Sequence, residues 1–123
     1  MLHIPFEQMQ AYKRTAQVRW QAEEAQRKQQ HAKAWQLAHE AAKLLKNSFG
    51  VQRVVLFGSL LQPERFHLRS DVDLAAWGLT PTNWLKAIAA VHDLSNEIEL
   101  NLVDVGVCSP ELYAVIEQEG MPL

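Results

Sequence analysis

Apolar positions fall into two regimes along the 123-residue chain. From about Phe6 to about Asn47 there is neither Gly nor Pro, and Ala, Gln, Lys, Arg and Glu dominate. These residues lose little on entering a helix. The stretch starts just after Pro5 and stops at Asn47-Ser48-Phe49-Gly50, a common C-terminal punctuation. It is expected to form one long helix, roughly 60 Å at 1.5 Å rise per residue, longer than a domain of this size is wide. Its second half carries Trp35, Ala38, Ala41, Ala42 and Leu45 at helical spacing, a stripe suited to a core. The first half is wetter, with seven Gln and only Met9, Tyr12, Val18 and Trp20 as larger apolar residues. It is either a solvated helix, broken once, or an arm that lies on a partner or a second copy. The arm is preferred, since an isolated helix with so little core does not persist without a surface to lie on.

After Gly50 the period changes from helical to alternating. Gln52–Phe57 is a β-branched strand, Gly58-Ser59 a turn and Leu60-Leu61 a short helical turn. A polar loop, 62–69, leads to a second strand, Asp71–Trp77. Thr80-Pro81 looks like a helix start, and Ala87, Ile88, Val91 and Leu94 space as its buried face. Glu97–Val105 reads as a third strand, and Ser109-Pro110 opens a last helix that Gly120 ends. Alternating strands and helices predict an α/β (α+β) layer with a small mixed sheet. The chain divides into a long N-terminal helix, 1–49, serving as a packing or partner arm, and an α/β domain, 50–123. Trp35, Leu37, Leu44 and Leu45 are expected to cover the thin core of that domain.

Charge sharpens this division. Residues 1–50 hold eight Lys/Arg and four acids (+4), and the remainder four Lys/Arg and ten acids (−6), giving −2 overall. A pI near 6.2 gives no global nucleic-acid footprint. The lone Cys108 cannot form an internal disulfide, no apolar run approaches the roughly 18 residues of a membrane span, and the first ten residues lack the pattern of a signal peptide. A cytoplasmic protein is expected.

The strongest chemical signal is Gly58-Ser59, eleven intervening residues, then Asp71-Val72-Asp73. Residues two apart on a strand share a face, so both carboxylates point one way while Val72 and Leu74 point the other. Two adjacent carboxylates repel each other and become tolerable around a hard cation. Mg²⁺ typically takes one or two carboxylates plus substrate phosphates. Gly58, following an apolar strand, lets the backbone turn sharply beside a ligand. The amides around Ser59 suit a phosphate, and its hydroxyl adds a hydrogen bond. A phosphate cradle and a metal mount on adjacent strands are the equipment for in-line attack on phosphorus. Arg65, His67 and Arg69 in the preceding loop read more simply as solvated residues within reach of the phosphates. The five His show no zinc-like spacing.

The stretch Leu56-Phe57-Gly58-Ser59 … Ser70-Asp71-Val72-Asp73-Leu74 resembles the signature of the DNA polymerase β-like nucleotidyltransferase superfamily. Within it, the chain is similar to the minimal nucleotidyltransferases (MNT) found beside HEPN partners. Leu102-Val103-Asp104-Val105 and Ser109-Pro110-Glu111-Leu112 through Gly120 resemble that family's ending. The resemblance runs from about Gly50 to Leu123 and excludes the long helix. It implies that Gly58 and Ser59, with Ser70 and Arg69 alongside, hold a triphosphate, and that Asp71 and Asp73 ligate Mg²⁺. It also implies a third carboxylate on the third strand that activates the acceptor. At that place the chain has Asn101-Leu102-Val103, and an amide cannot act as a general base. Glu99 shares the parity of Asn101 and is the alternative acid; Asp104 has the opposite parity.

The resulting expectation is transfer of AMP from ATP to a hydroxyl, by resemblance a tyrosine of a HEPN toxin, with this chain as the antitoxin. Two other readings stand beside it. One is a binding module that neutralises its partner by contact because Asn101 has replaced the base. The other is a basic-helix nucleic-acid binder, disfavoured because its charges are interspersed with Glu and Gln. Homo-oligomerisation through the long helix is a further expectation.

Overall fold

In the computed structural model, which describes residues 5–123, the Gly- and Pro-free stretch is one unbroken 43-residue helix, α1 (Phe6–Ser48). The Phe49 and Val51 amides both donate to the Leu45 carbonyl and turn the chain out of it. The two halves of α1 part as their composition requires. Ala34, Leu37, Ala38, Ala41, Ala42 and Leu45 are buried, with Trp35 and Leu44 packed half-buried against the same cluster. Phe6, Met9, Tyr12, Val18 and Trp20 are exposed.

Four strands follow: β1 (Arg53–Phe57), β2 (Val72–Trp77), β3 (Leu100–Asp104) and β4 (Met121–Pro122), in the order β3-β2-β1-β4. β1 runs antiparallel to β2 and β4, and β2 runs parallel to β3, so the sheet is mixed as expected. The parallel pair needs a crossover, and helix α2 (Trp84–His92) supplies it. On one face, Val54, Leu56, Val72, Leu74, Ala76 and Leu100 pack against α1 and α2. On the other, Val55, Phe57 and Ala75 meet Ile116 of helix α3 (Pro110–Glu119). This second face carries the same parity as Asp71 and Asp73. Among the described residues no helix is long and apolar enough to cross a membrane.

Several boundaries move for identifiable reasons. β3 begins at Leu100 rather than Glu97 because the Ser95 hydroxyl accepts from the Glu97 and Ile98 amides (3.2 and 3.1 Å), winding that segment into a turn. It ends at Asp104 because the Asp104 carboxylate accepts from the Gly106 amide (3.0 Å) and starts a 3-10 turn. α2 begins at Trp84 rather than Thr80. The Asn83 side chain accepts from the Thr80 amide (2.8 Å) and donates to the Phe49 carbonyl (3.1 Å), fixing a non-helical turn there. β4 has no counterpart among the expected strands. It forms because the Leu123 amide donates to Val54 O (2.9 Å) while Lys46 of α1 caps the Leu123 carbonyl (2.5 Å).

The middle of α1 also buttresses the loop before β2. Arg27, paired with Glu24, donates to the Pro63 carbonyl (2.8 Å), and buried Phe66 lies edge-on to His31 with ring centroids 5.0 Å apart. α1 therefore serves as both core element and scaffold for the segment that delivers Asp71.

A pair of substitutions separates the two halves of α1. Leu45→Ala, at a fully buried position, is expected to cost about 2–5 kcal/mol in urea unfolding. Tyr12→Ala, on the exposed half, is expected to stay within about 0.5 kcal/mol of the parent. Equal losses at both positions would contradict this division of the helix.

Candidate functional site

The sheet register assembles the site. Asp73 pairs with Phe57 on its β1 side and with Asn101 on its β3 side, so Phe57, Asp73 and Asn101 form one row across three strands. The next row on the same face, Val55, Ala75 and Val103, is the one that packs with α3. The site row lies one step beyond it, toward the end of the sheet where β2 begins. Asp71, immediately before β2, shares the parity of Asp73, and both are half-buried. Val72 and Leu74 are fully buried on the opposite face. That anchoring fixes which way the carboxylates point, because a one-residue slip would bury them in the core.

A single amide joins the pair. Asn101 Nδ2 donates to Asp71 Oδ2 (3.2 Å) and to Asp73 Oδ1 (3.1 Å). This neutral donor only partly offsets the environment of Asp73. Burial pushes the Asp73 carboxyl above its ordinary range, the Asn101 hydrogen bond pulls it down, and the neighbouring Asp71 charge pushes it up again. The protein thus holds a carboxylate at a place where charge is costly and lacks a full counter-charge.

Gly58 closes the other side. It follows β1 directly and has a φ of 87°, a conformation that L side chains rarely adopt. A Cβ on Gly58 would run into Asp73 Oδ2. Any side chain there would therefore fill the space beside the acid pair. Ser59 opens the 3-10 turn Ser59–Leu61, anchored by buried Leu60. The donor set, two carboxylates with a hydroxyl close by in sequence, is all oxygen and suits a hard cation such as Mg²⁺. Among the described residues no group of three or more His, Cys, Asp or Glu forms a protein-only cage. A site of this kind would be completed by ligands from a phosphate.

Of the expected residues, the structure brings together Gly58, Asp71, Asp73 and Asn101, with Ser59 next in the chain. Ser70 is buried, and its hydroxyl accepts from the His67 amide (2.9 Å), tightening the loop that presents Asp71. Arg69 is exposed, its amide donating to His67 Nδ1 (3.1 Å). With Trp20, Arg27 and Leu68 it lines a hollow of about 550 Å³ between that loop and α1. Glu99 sits just before β3, exposed and outside the hydrogen-bonded group, while its carbonyl accepts from the Val72 amide (2.9 Å). Asp104 is occupied with Gly106. Sequence reasoning missed the support from Arg27 and His31, whose only signal was their place on the wetter half of a helix.

No protein-family model matches the chain, and no curated protein matches it in sequence. Solved structures do match in fold. One is a chain of a toxin–antitoxin complex with AMP-PNP (24% identity, TM-score 0.58, 69% of this chain and 70% of that one). Another is a chain of the MntA–HpeT toxin–antitoxin in a mutant with two Asp-to-Glu exchanges two residues apart (21% identity, TM-score 0.56, 69% and 70%). A third belongs to the complex of tri-AMPylated Shewanella oneidensis HEPN toxin with MNT antitoxin (19% identity, TM-score 0.54, 72% and 70%). The resemblance to minimal nucleotidyltransferases legible in the Gly58-to-Asp73 signature is therefore matched at the level of the fold.

The raised Asp73 carboxyl generates a pH prediction. A carboxyl that binds its proton more tightly when folded than when unfolded lowers stability as pH rises through its folded value, and the loss persists above it. Asp73→Asn is therefore expected to raise the melting temperature at pH 7 in chelator. The gain should shrink as pH falls into the range where the wild-type carboxyl is protonated. A variant less stable than the parent at pH 7 would contradict the charge argument.

Proposed function

We propose that this chain is an antitoxin of the nucleotidyltransferase type that transfers AMP from ATP to a hydroxyl on a protein partner, a tyrosine of a HEPN toxin. The observation carrying this reading is the convergence of Asp71 and Asp73 beside the Gly58 turn, with a carboxyl perturbed by burial and by its neighbour's charge. A carboxyl raised by burial within a cluster of this composition is a common feature of functional sites. Support also comes from the complexes to which the fold neighbours belong: one is a toxin–antitoxin with AMP-PNP, one includes an AMPylated HEPN toxin, and one is a mutant with exchanges at two Asp spaced as Asp71 and Asp73 are.

In this reading Asp71 and Asp73 would hold Mg²⁺, and Gly58 and Ser59 would receive the triphosphate through backbone amides and the Ser59 hydroxyl, the ion supplying charge neutralisation when bound. Ser70 sets the loop that aims Asp71, and Arg69, exposed on the same loop, would be the cation for the outer phosphates. The acceptor oxygen attacks the α-phosphorus, the bond to the β-phosphate oxygen breaks, and pyrophosphate leaves with the electron pair. The acceptor proton passes to solvent or to Glu99, since Asn101 cannot take it. A phenol, with pKa about 10, asks less of a base than an aliphatic alcohol does, and this favours tyrosine. The exposed half of α1, with Phe6, Tyr12, Val18 and Trp20, is the arm for the partner or a second copy.

The replacement of an acid by Asn101 favours one competing reading, a module that neutralises its partner by contact alone. Incubation with ATP labelled at the α-phosphate, Mg²⁺ and the product of the neighbouring gene separates the two. Label transfer is expected, and Asp71→Ala or Asp73→Ala should reduce it by at least about a hundredfold, the scale of losing one strong electrostatic contact in a transition state. Tight binding with no transfer would establish the module instead.

A further inference from the structure

We infer that Asn101 limits the acid pair to a single divalent cation, which enters from the Gly58 side. This inference rests on the nucleotidyltransferase reading and adds the number of ions to it. The Asn101 amide reaches the pair from β3 and engages one oxygen of each carboxylate, Asp71 Oδ2 at 3.2 Å and Asp73 Oδ1 at 3.1 Å. The remaining Asp73 oxygen, Oδ2, faces Gly58. The β3 flank of the pair is thus filled by N–H donors, which repel a cation as a carbonyl or carboxylate would not. On the Gly58 flank the missing side chain lets Asp73 Oδ2 lie against the backbone, so an acceptor rather than a donor faces that side. Register puts Asn101 directly beside Asp73 in the parallel pairing, within reach of both carboxylates.

Charge points the same way. Sites that hold two cations about 3.5–4 Å apart need anionic ligands shared between them. Two carboxylates supply two negative charges, and an amide supplies none. A phosphate tail on the Gly58 side completes the ligands of one ion there, while an ion on the β3 side would meet an N–H pair. Asn101 also acts as a positioning residue. Without a metal it is the shared partner that holds two repelling carboxylates at one point.

The test counts ions. The full chain is dialysed against Mn²⁺ with a non-hydrolysable ATP analogue, and protein-bound Mn²⁺ is measured by electron paramagnetic resonance. The parent is expected to retain one ion per chain and Asn101→Asp two. Two ions on the parent, or one on Asn101→Asp, would overturn the inference while leaving nucleotide transfer standing. No retained ion and no bound analogue on the parent would instead remove the nucleotidyltransferase reading itself, and this inference with it. If Asn101→Asp does not fold, Asn101→Ala carries the test through thermal melting. It should melt several degrees below the parent in chelator, and the gap should close with saturating Mn²⁺ and analogue, when the ion takes over the holding of the pair. Equal melting temperatures in chelator would refute the positioning role.

Discussion

Two like charges held side by side at a half-buried place are the constraint around which this small structure is arranged. Asp71 and Asp73 would separate if their backbone were free. They do not because Val72 and Leu74, between and beyond them, are locked into the main core. The energy that fixes their backbone is thus hydrophobic and comes from the opposite face of the sheet, while the Asn101 amide joins the side chains. Burial of a Val or Leu side chain contributes about 1.5–3 kcal/mol, enough to offset a modest repulsion between groups that remain partly solvated. The Asp73 carboxyl is raised first by its burial, against the pull of the Asn101 hydrogen bond, and only then by the Asp71 charge.

The same economy explains the length of α1. A sheet of four short strands, one only two residues long, has little core of its own. The alanine-rich stripe from Ala34 to Leu45 completes it, and small side chains let the helix lie close to the sheet. One turn further toward the N-terminus, the same rigid rod reaches the loop through Arg27 and His31 and fixes the approach to Asp71. Beyond that point Phe6, Met9, Tyr12 and Val18 are exposed. A rod stiff enough to serve the core and the loop therefore projects an exposed apolar surface beyond them.

Much of this was legible in the sequence because it rests on local periodicity. The β1 and β2 strands were bounded to within a residue, since alternation and the Gly58 and Gly78 stops are local signals. The shared face of Asp71 and Asp73 follows from strand parity alone. What escaped depends on side chains meeting across the fold. The turns that shorten β3 are made by Ser95 and Asp104 capping nearby amides, a choice that residues with equal claims to strand or turn do not announce. β4 is too short to carry a pattern and exists only because β1 offers a free edge. Asn101 was visible as a departure from the family pattern, yet its role as a donor to both acids needs the register of β3 against β2.

That register changes what the departure means. Seen as a list of residues, an amide in place of a carboxylate is a loss: no base and a weak ligand. Placed beside Asp73 it becomes a neutral clamp, and a third carboxylate in the same row would have added another like charge beside an Asp73 carboxyl already raised by burial. The amide instead adds a neutral bridge between two carboxylates whose backbone the core already fixes. The exchange therefore leaves the two carboxylates bridged by a neutral donor in place of a third like charge.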